Sequence, residues 1–205
     1  MDFSLTCIDN GNGLPLELSL CCPFTKEELH DSLRSESWED LDQNTYIACY
    51  RQRCTDISCT KLQQIIQYLG SDTVKAILSE IVVSHNLDIS LNEINEYGKL
   101  YVSLTKDKPG YHVGKHYDPD RVWLSAMIYL NQELDSNRAT EFYANEHDNI
   151  PIYISSTEFS KGWAIPEKIW HAGKNNTNDD RYSILIWLYN SSQEENNIGA
   201  HLQRT

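Results

Sequence analysis

The period of apolar and polar positions changes near residue 88 of the 205-residue chain. Upstream of that point the pattern is mainly helical. Residues 60–69 form an apolar-striped run stopped by Gly70, and residues 72–85 place Val74, Ile77, Ile81 and Val82 at helical spacing. The tetrad Thr25-Lys-Glu-Glu28 has the form of a capping box, which predicts a helix running to about Arg34. Residues 3–8 and 16–21 alternate enough to predict short strands joined by a turn rich in Asn and Gly, and residues 35–44 are polar and read as a loop. Downstream of Leu87 the pattern predicts strands at 89–94, 100–104, 123–130, 140–144, 152–155, 162–166 and 182–189. Strands so short and closely spaced predict a sandwich or barrel. Residues 107–114, with Pro109, Gly110 and Gly114, read as a loop and candidate lid. The expected fold is mainly β with N-terminal helices: a support region over 1–88, packed on a core over 89–205, within a single structural domain.

A chain of this length is enough for one domain burying about 70% of its unfolded surface. Acidic residues number 30 against 17 basic ones, for a formal net charge of −13, and such a field repels phosphate backbones. Nucleic acid is therefore not an expected partner, and no membrane partner is expected. The first fifty residues hold ten Asp and Glu but only Lys26 and Arg34 as bases, which reads as a solvated acidic surface. Six cysteines fall in the first 59 residues without a C-x-x-C pair, a poor basis for a zinc site. No stretch approaches the ~18 apolar residues of a membrane helix, and the start lacks a basic segment followed by an apolar run. A cytoplasmic location with free thiols is the expectation.

The chemistry concentrates between His116 and Tyr189. In an extended strand, positions i and i+2 share a face, so His116 and Asp118 can present an imidazole and a carboxylate to one point, with His171 arriving from elsewhere in the fold. Two histidines and one carboxylate on one face of a metal, with open positions left over, is the ligand set of non-haem Fe(II) oxygenases. Arg181 leads into the apolar run 182–189 and needs an anion, because an unpaired buried guanidinium is costly. No carboxylate stands at matched spacing on that strand, and Asp179 and Asp180 lie in a polar turn. A salt bridge to another of the chain's acids is the competing explanation. His112 and His147 read as loop or solvent residues. Lys115, Arg121, Arg138 and Lys168 lie near the motif and could meet an anionic group on a substrate.

The succession His116-Tyr-Asp118, Ile128-Tyr-Leu-Asn131, Trp170-His-Ala-Gly173 and Arg181-Tyr-Ser-Ile-Leu-Ile-Trp187 resembles the Fe(II)/2-oxoglutarate-dependent dioxygenases, most of all their prolyl-hydroxylase branch. The resemblance covers about residues 89–190. It implies a double-stranded β-helix (jelly roll) core, Fe(II) held by His116, Asp118 and His171 as the catalytic centre, and O2 as cosubstrate. It further implies 2-oxoglutarate gripped at its far carboxylate by Arg181 and Tyr129, with Trp187 lining the pocket and ascorbate as a candidate auxiliary cofactor. Trp170 and Arg121 are further candidates for the substrate pocket. The family often carries a Gly-Gly segment ahead of a Thr/Ile-x-Phe strand. Residues 136–142 here read Ser-Asn-Arg-Ala-Thr-Glu-Phe, so the substrate-side loop departs from that pattern.

The implied activity is hydroxylation of a prolyl residue, an amino acid or a related small substrate, with release of succinate and CO2. The partner is then a protein, a peptide or a small molecule. Two alternatives are an oxidative nucleic-acid demethylase of the same superfamily, which the net charge opposes, and a jelly-roll binding module without turnover.

Overall fold

The computed structural model describes residues 2–11, 13–40, 51–86, 88–131, 135–166 and 168–193. Two strands open the chain, β1 (Ser4–Ile8) and β2 (Leu16–Cys21), followed by helix α1 (Lys26–Ser35) and the short strands β3 (Glu39–Asp40) and β4 (Arg51–Cys54). Helices α2 (Thr60–Leu69), α3 (Asp72–His85) and α4 (Leu91–Tyr97) come next. The remaining strands are β5 (Gly98–Asp107), β6 (Tyr111–His116), β7 (Val122–Tyr129), β8 (Thr140–Tyr143), β9 (Tyr153–Ile154), β10 (Lys161–Ile165), β11 (Trp170–Asn175) and β12 (Arg181–Asn190). Among the described residues these strands build an eight-stranded antiparallel sheet in the order β1-β2-β10-β7-β12-β5-β4-β3 and a four-stranded sheet in the order β6-β11-β8-β9.

Period-two alternation in the central strands accounts for this layering. On β7, Leu124, Ala126 and Ile128 join Tyr182, Ile184, Ile186 and Leu188 of β12 in one apolar cluster with Leu29, Leu33, Leu62, Ile65, Leu69, Val74, Leu78 and Val82 of the helices. The intervening residues Met127, Tyr129, Leu185 and Trp187 turn to the other side, where they meet Phe142 of the small sheet together with Trp163 and Ile165. One face of the large sheet thus seats helices, and the other forms the lined interior between the sheets. Both faces are buried, which is why residues 123–130 and 182–189 read as nearly continuous apolar runs.

The predicted helices at 60–69 and 72–85 match α2 and α3, and the capping box at Thr25 is present, with Glu28 N donating to Thr25 Oγ1 at 3.2 Å and Thr25 N donating to Glu28 Oε2 at 2.9 Å. In α3 the buried face carries Leu78 where the spacing predicted Ile77 and Ile81, which are only half-buried. The strand expected at 89–94 is instead the start of α4: Ser90 accepts from Glu93 N and caps it, a local bond that outweighs the alternation of Ile89, Leu91 and Ile94. Residues 35–44 hold β3 within the expected loop, and 41–44 lie outside the described residues.

The segment 107–114 is not a lid. Lys108 to Tyr111 form a tight turn closed by Tyr111 N donating to Lys108 O at 3.0 Å, with Pro109 and then Gly110 at φ +85°, the left-handed backbone that a type II turn demands of its third residue. Residues from Tyr111 onward are strand β6. Strands β4 (RQRC) and β11 (WHAGKN) were also not anticipated, since neither is rich in β-branched residues. Each is recruited by its neighbours: β4 pairs with β5, and β11 lies between β6 and β8.

Candidate active site

His116 is the last residue of β6, and Asp118 follows in the turn that leads to β7. Antiparallel pairing of β6 with β11 places His171 directly opposite His116, and the register shifts between His171 and Gly173. Fifty-five positions of sequence therefore close to a ring-centroid separation of 4.3 Å between the two imidazoles. One ligand atom from each of His116, Asp118 and His171 lies within 4.8 Å of the other two, and theirs is the sole such grouping among the described residues.

Backbone carbonyls orient both rings. His116 Nδ1 donates to Gly114 O at 2.8 Å and His171 Nδ1 to Ile169 O at 3.0 Å, a pairing that fixes the Nδ1–H tautomer and turns each Nε2 lone pair toward the shared point. Asp118 Oδ2 lies 3.7 Å from His171 Nε2, yet it is a buried oxygen without a hydrogen-bond partner among the described residues. A buried carboxylate oxygen left unpaired costs several kcal/mol unless a cation meets it. The three side chains thus fit a divalent metal on the strength of an orphaned acceptor and two lone pairs. Burial, and next the neighbouring His171 imidazole, lower the His116 pKa and favour the neutral form that ligates.

The triad opens on a small cavity of about 50 Å³ between the sheets. Met127, Trp163, Leu185 and Trp187 supply apolar walls, and Arg51, Tyr111 and Arg181 supply polar ones. Trp187 lines this space as expected, with its Nε1 donating to Ser125 Oγ at 2.7 Å. Trp170 and Arg121 do not line it. Trp170 stacks on Tyr117 at 4.0 Å between centroids beside the triad, and Arg121 is half-buried with Nη2 unpaired among the described residues.

Arg181 is fully buried and points into the cavity, but it already has a carboxylate. Its Nε donates to Asp107 Oδ2 at 2.8 Å and its Nη2 contacts the same oxygen, while Nη1 donates to Arg138 O at 2.9 Å and Lys174 O at 3.1 Å. The competing explanation, a salt bridge to another of the chain's acids, is thus what the structure shows for Arg181, and the partner comes from the adjacent strand. Register places Asp107 of β5 between Arg181 of β12 on one side and Arg51 of β4 on the other. Arg51 Nη2 donates to Asp107 Oδ2 at 3.0 Å, and its Nε donates to Oδ1. Burial opposes ionisation of Asp107, but the two guanidiniums overcome it and hold the carboxyl below its ordinary range.

Asn131, the last residue of the Ile-Tyr-Leu-Asn segment, fixes the head of β12. Its Nδ2 donates to Asp180 O at 3.0 Å and its Oδ1 accepts from Tyr182 N at 2.8 Å, so the backbone on both sides of Arg181 is tied down. Tyr129 is engaged by protein partners. Its hydroxyl meets Thr140 Oγ1 at 2.8 Å and Ser155 Oγ at 2.9 Å and accepts from Trp163 Nε1 at 3.3 Å, and it is not among the cavity-lining residues. Tyr111 stands there instead, with the Arg51 and Arg181 guanidiniums 4.5 and 5.1 Å from its ring centroid and its hydroxyl pKa pushed up to about 12 by burial.

Two of the nearby bases are satisfied locally, Lys115 by Glu146 O and Asp148 O and Lys168 by Asp120, whereas Arg138 Nε lies 3.6 Å from Asp135 Oδ2 and has no hydrogen-bond partner among the described residues. His112 and His147 are exposed and outside the triad. Arg51 and Asp107 are the residues that sequence reasoning passed over: Asp107 begins a segment read as a loop, and Arg51 lies in a stretch given no element.

No protein-family model matches the sequence, and no curated protein matches it either. Solved structures do. A Pseudomonas putida prolyl-4-hydroxylase superposes with a TM-score of 0.50 at 13% identity, covering 80% of this chain and 85% of that one. An oxidoreductase of the 2OG-Fe(II) oxygenase family from Burkholderia pseudomallei gives 0.51 at 8% identity, over 80% and 77% of the two chains. A Trichoplax adhaerens prolyl hydroxylase, solved with a hypoxia inducible factor peptide fragment, gives 0.50 at 13% identity, over 81% and 76%. The chain has the jelly-roll fold of 2OG-Fe(II) oxygenases and, among them, of prolyl hydroxylases.

Proposed function

We propose that this chain is an Fe(II)- and 2-oxoglutarate-dependent dioxygenase that hydroxylates a prolyl residue, an amino acid or a related small substrate. The observation that carries the reading is the juxtaposition of an orphaned Asp118 oxygen and two oriented imidazoles at one end of a cavity whose other end holds buried guanidiniums. Fe(II) and 2-oxoglutarate supply the oxidative chemistry, with O2 consumed and succinate and CO2 released. His116, Asp118 and His171 hold the metal and leave open positions on it. Arg181 would hold the far carboxylate of 2-oxoglutarate. Met127, Trp163, Leu185 and Trp187 keep bulk water from the reacting atoms, which strengthens every charge interaction inside.

The Tyr117–Trp170 stack beside the triad supports a substrate with a flat or apolar face, such as a prolyl ring presented on a peptide. The test is conversion of 2-oxoglutarate to succinate by Fe(II)-loaded protein, screened over prolyl peptides and amino acids with mass spectrometry for a gain of one oxygen. Turnover lost in Asp118→Ala supports the reading, and succinate release equal to that of wild type in that variant overturns it.

A further inference from the structure

Three cross-strand neighbours on β4, β5 and β12 form a row, Arg51–Asp107–Arg181, and their charges do not balance. Two guanidiniums share one carboxylate, leaving a surplus of one positive charge at a place where Arg51 is 6% exposed and Arg181 and Asp107 are 0% exposed. A buried net charge is expensive unless something neutralises it. The donors are unbalanced as well. Each guanidinium has five N–H groups. Arg181 commits all but one of its own to Asp107 and to two carbonyls, whereas Arg51 commits only Nε and one Nη2 hydrogen, and its Nη1 has no partner among the described residues. Both side chains line the cavity that the triad opens on.

We propose that Arg51 is the principal holder of the far carboxylate of the dicarboxylate cosubstrate, with Arg181 fixed by Asp107 as the second arm of a two-guanidinium clamp. The inference rests on the dioxygenase reading above and adds a binding residue from β4, outside the segment that resembles the oxygenases. The Nη1 edge of Arg51, without a hydrogen-bond partner among the described residues, can meet a carboxylate, and the incoming negative charge cancels the surplus. Tyr111, buried between the two guanidiniums, presents its phenol to the same space.

The experiment is calorimetric titration of 2-oxoglutarate, glutarate and 2-oxobutanoate into wild type, Arg51→Met and Arg51→Lys, each with and without Mn(II). Arg51→Met leaves a neutral Asp107–Arg181 pair, so the fold should survive, and a thermal melt checks this. Expected is a loss of roughly ten- to a hundredfold in affinity for the two dicarboxylates in Arg51→Met, a smaller loss in Arg51→Lys, and no change for 2-oxobutanoate, which lacks the far carboxylate. If Arg51→Met does not fold, the comparison of Arg51→Lys with wild type decides by the same criterion. Affinity for 2-oxoglutarate unchanged by these substitutions overturns the clamp and leaves the dioxygenase reading standing. Arg51-dependent glutarate binding in a protein that takes no metal upholds the clamp and overturns the dioxygenase reading. If no dicarboxylate binds to wild type, both fall.

Discussion

The two ends of the cavity are built on opposite electrostatic terms. At the triad, acceptors outnumber donors: two Nε2 lone pairs and a bare carboxylate oxygen face one another. At the β4–β5–β12 row, donors outnumber acceptors, and two guanidiniums crowd one carboxylate. What the contrast teaches is that a site can be recognised by its local imbalances, acceptor-rich on one side and donor-rich on the other, within one lined space.

The largest expected effect comes from breaking the balance at the donor-rich end. Asp107→Asn leaves two buried guanidiniums without a countercharge and should cost about 3–5 kcal/mol of folding stability, read by urea denaturation at pH 7. A loss under about 1 kcal/mol would mean that water or rearrangement satisfies the arginines. The acid limb sharpens this. Because the folded Asp107 carboxyl lies below its ordinary value, its contribution is complete above the unfolded value of about 3.9 and is lost as pH falls through the lower folded value. The stability gap between wild type and Asp107→Asn should therefore hold from pH 7 to pH 5 and shrink below about pH 4.

At the acceptor-rich end, His116→Ala, Asp118→Ala and His171→Ala should each weaken Mn(II) binding by more than about a hundredfold, since loss of a supporting hydrogen bond alone costs up to that much. Stability without metal should not fall in Asp118→Ala, because its orphaned oxygen goes. Calorimetry with Mn(II) and a melt without it measure both; near-wild-type metal affinity in any of the three removes that residue from the ligand set.

The smallest effect on binding is expected at Tyr129. Its hydroxyl is held by Thr140, Ser155 and Trp163, so Tyr129→Phe should cost about 1 kcal/mol of stability and leave 2-oxoglutarate affinity within about twofold. A tenfold loss of affinity would restore Tyr129 to the cosubstrate site.

The triad was legible because His116 and Asp118 sit two apart and because the family resemblance supplied His171, whose strand β11 the pattern did not predict. Arg181 was legible as a buried cation at the head of an apolar run. Its counterpart was not. Asp107 ends a strand just before a Pro-Gly turn, and Arg51 belongs to Arg-Gln-Arg-Cys, whose strand conformation comes from pairing with β5 and not from intrinsic preference. Periodicity reports which face a residue takes within its own strand, but it carries nothing about which residue of another strand stands opposite. Tyr129 shows the same limit from the other side: its place facing the interior could be read, while the three hydroxyl and indole partners that occupy it could not. The helix α4 was missed where one capping bond at Ser90 decided between two periods.

The row of Arg51, Asp107 and Arg181 also has a kinetic consequence. Its members are separated by 56 and 74 positions, so the charge cluster closes only after two long loops have formed, and pairings this distant slow a chain's search for its native state. During synthesis Arg51 leaves the ribosome well before either partner, and Asp107 meets one guanidinium long before the other. Until β12 docks, β4 and β5 can form a neutral ion pair, and the surplus positive charge arrives only with Arg181. The surplus charge that would draw an anion thus exists only once both long-range pairings are in place.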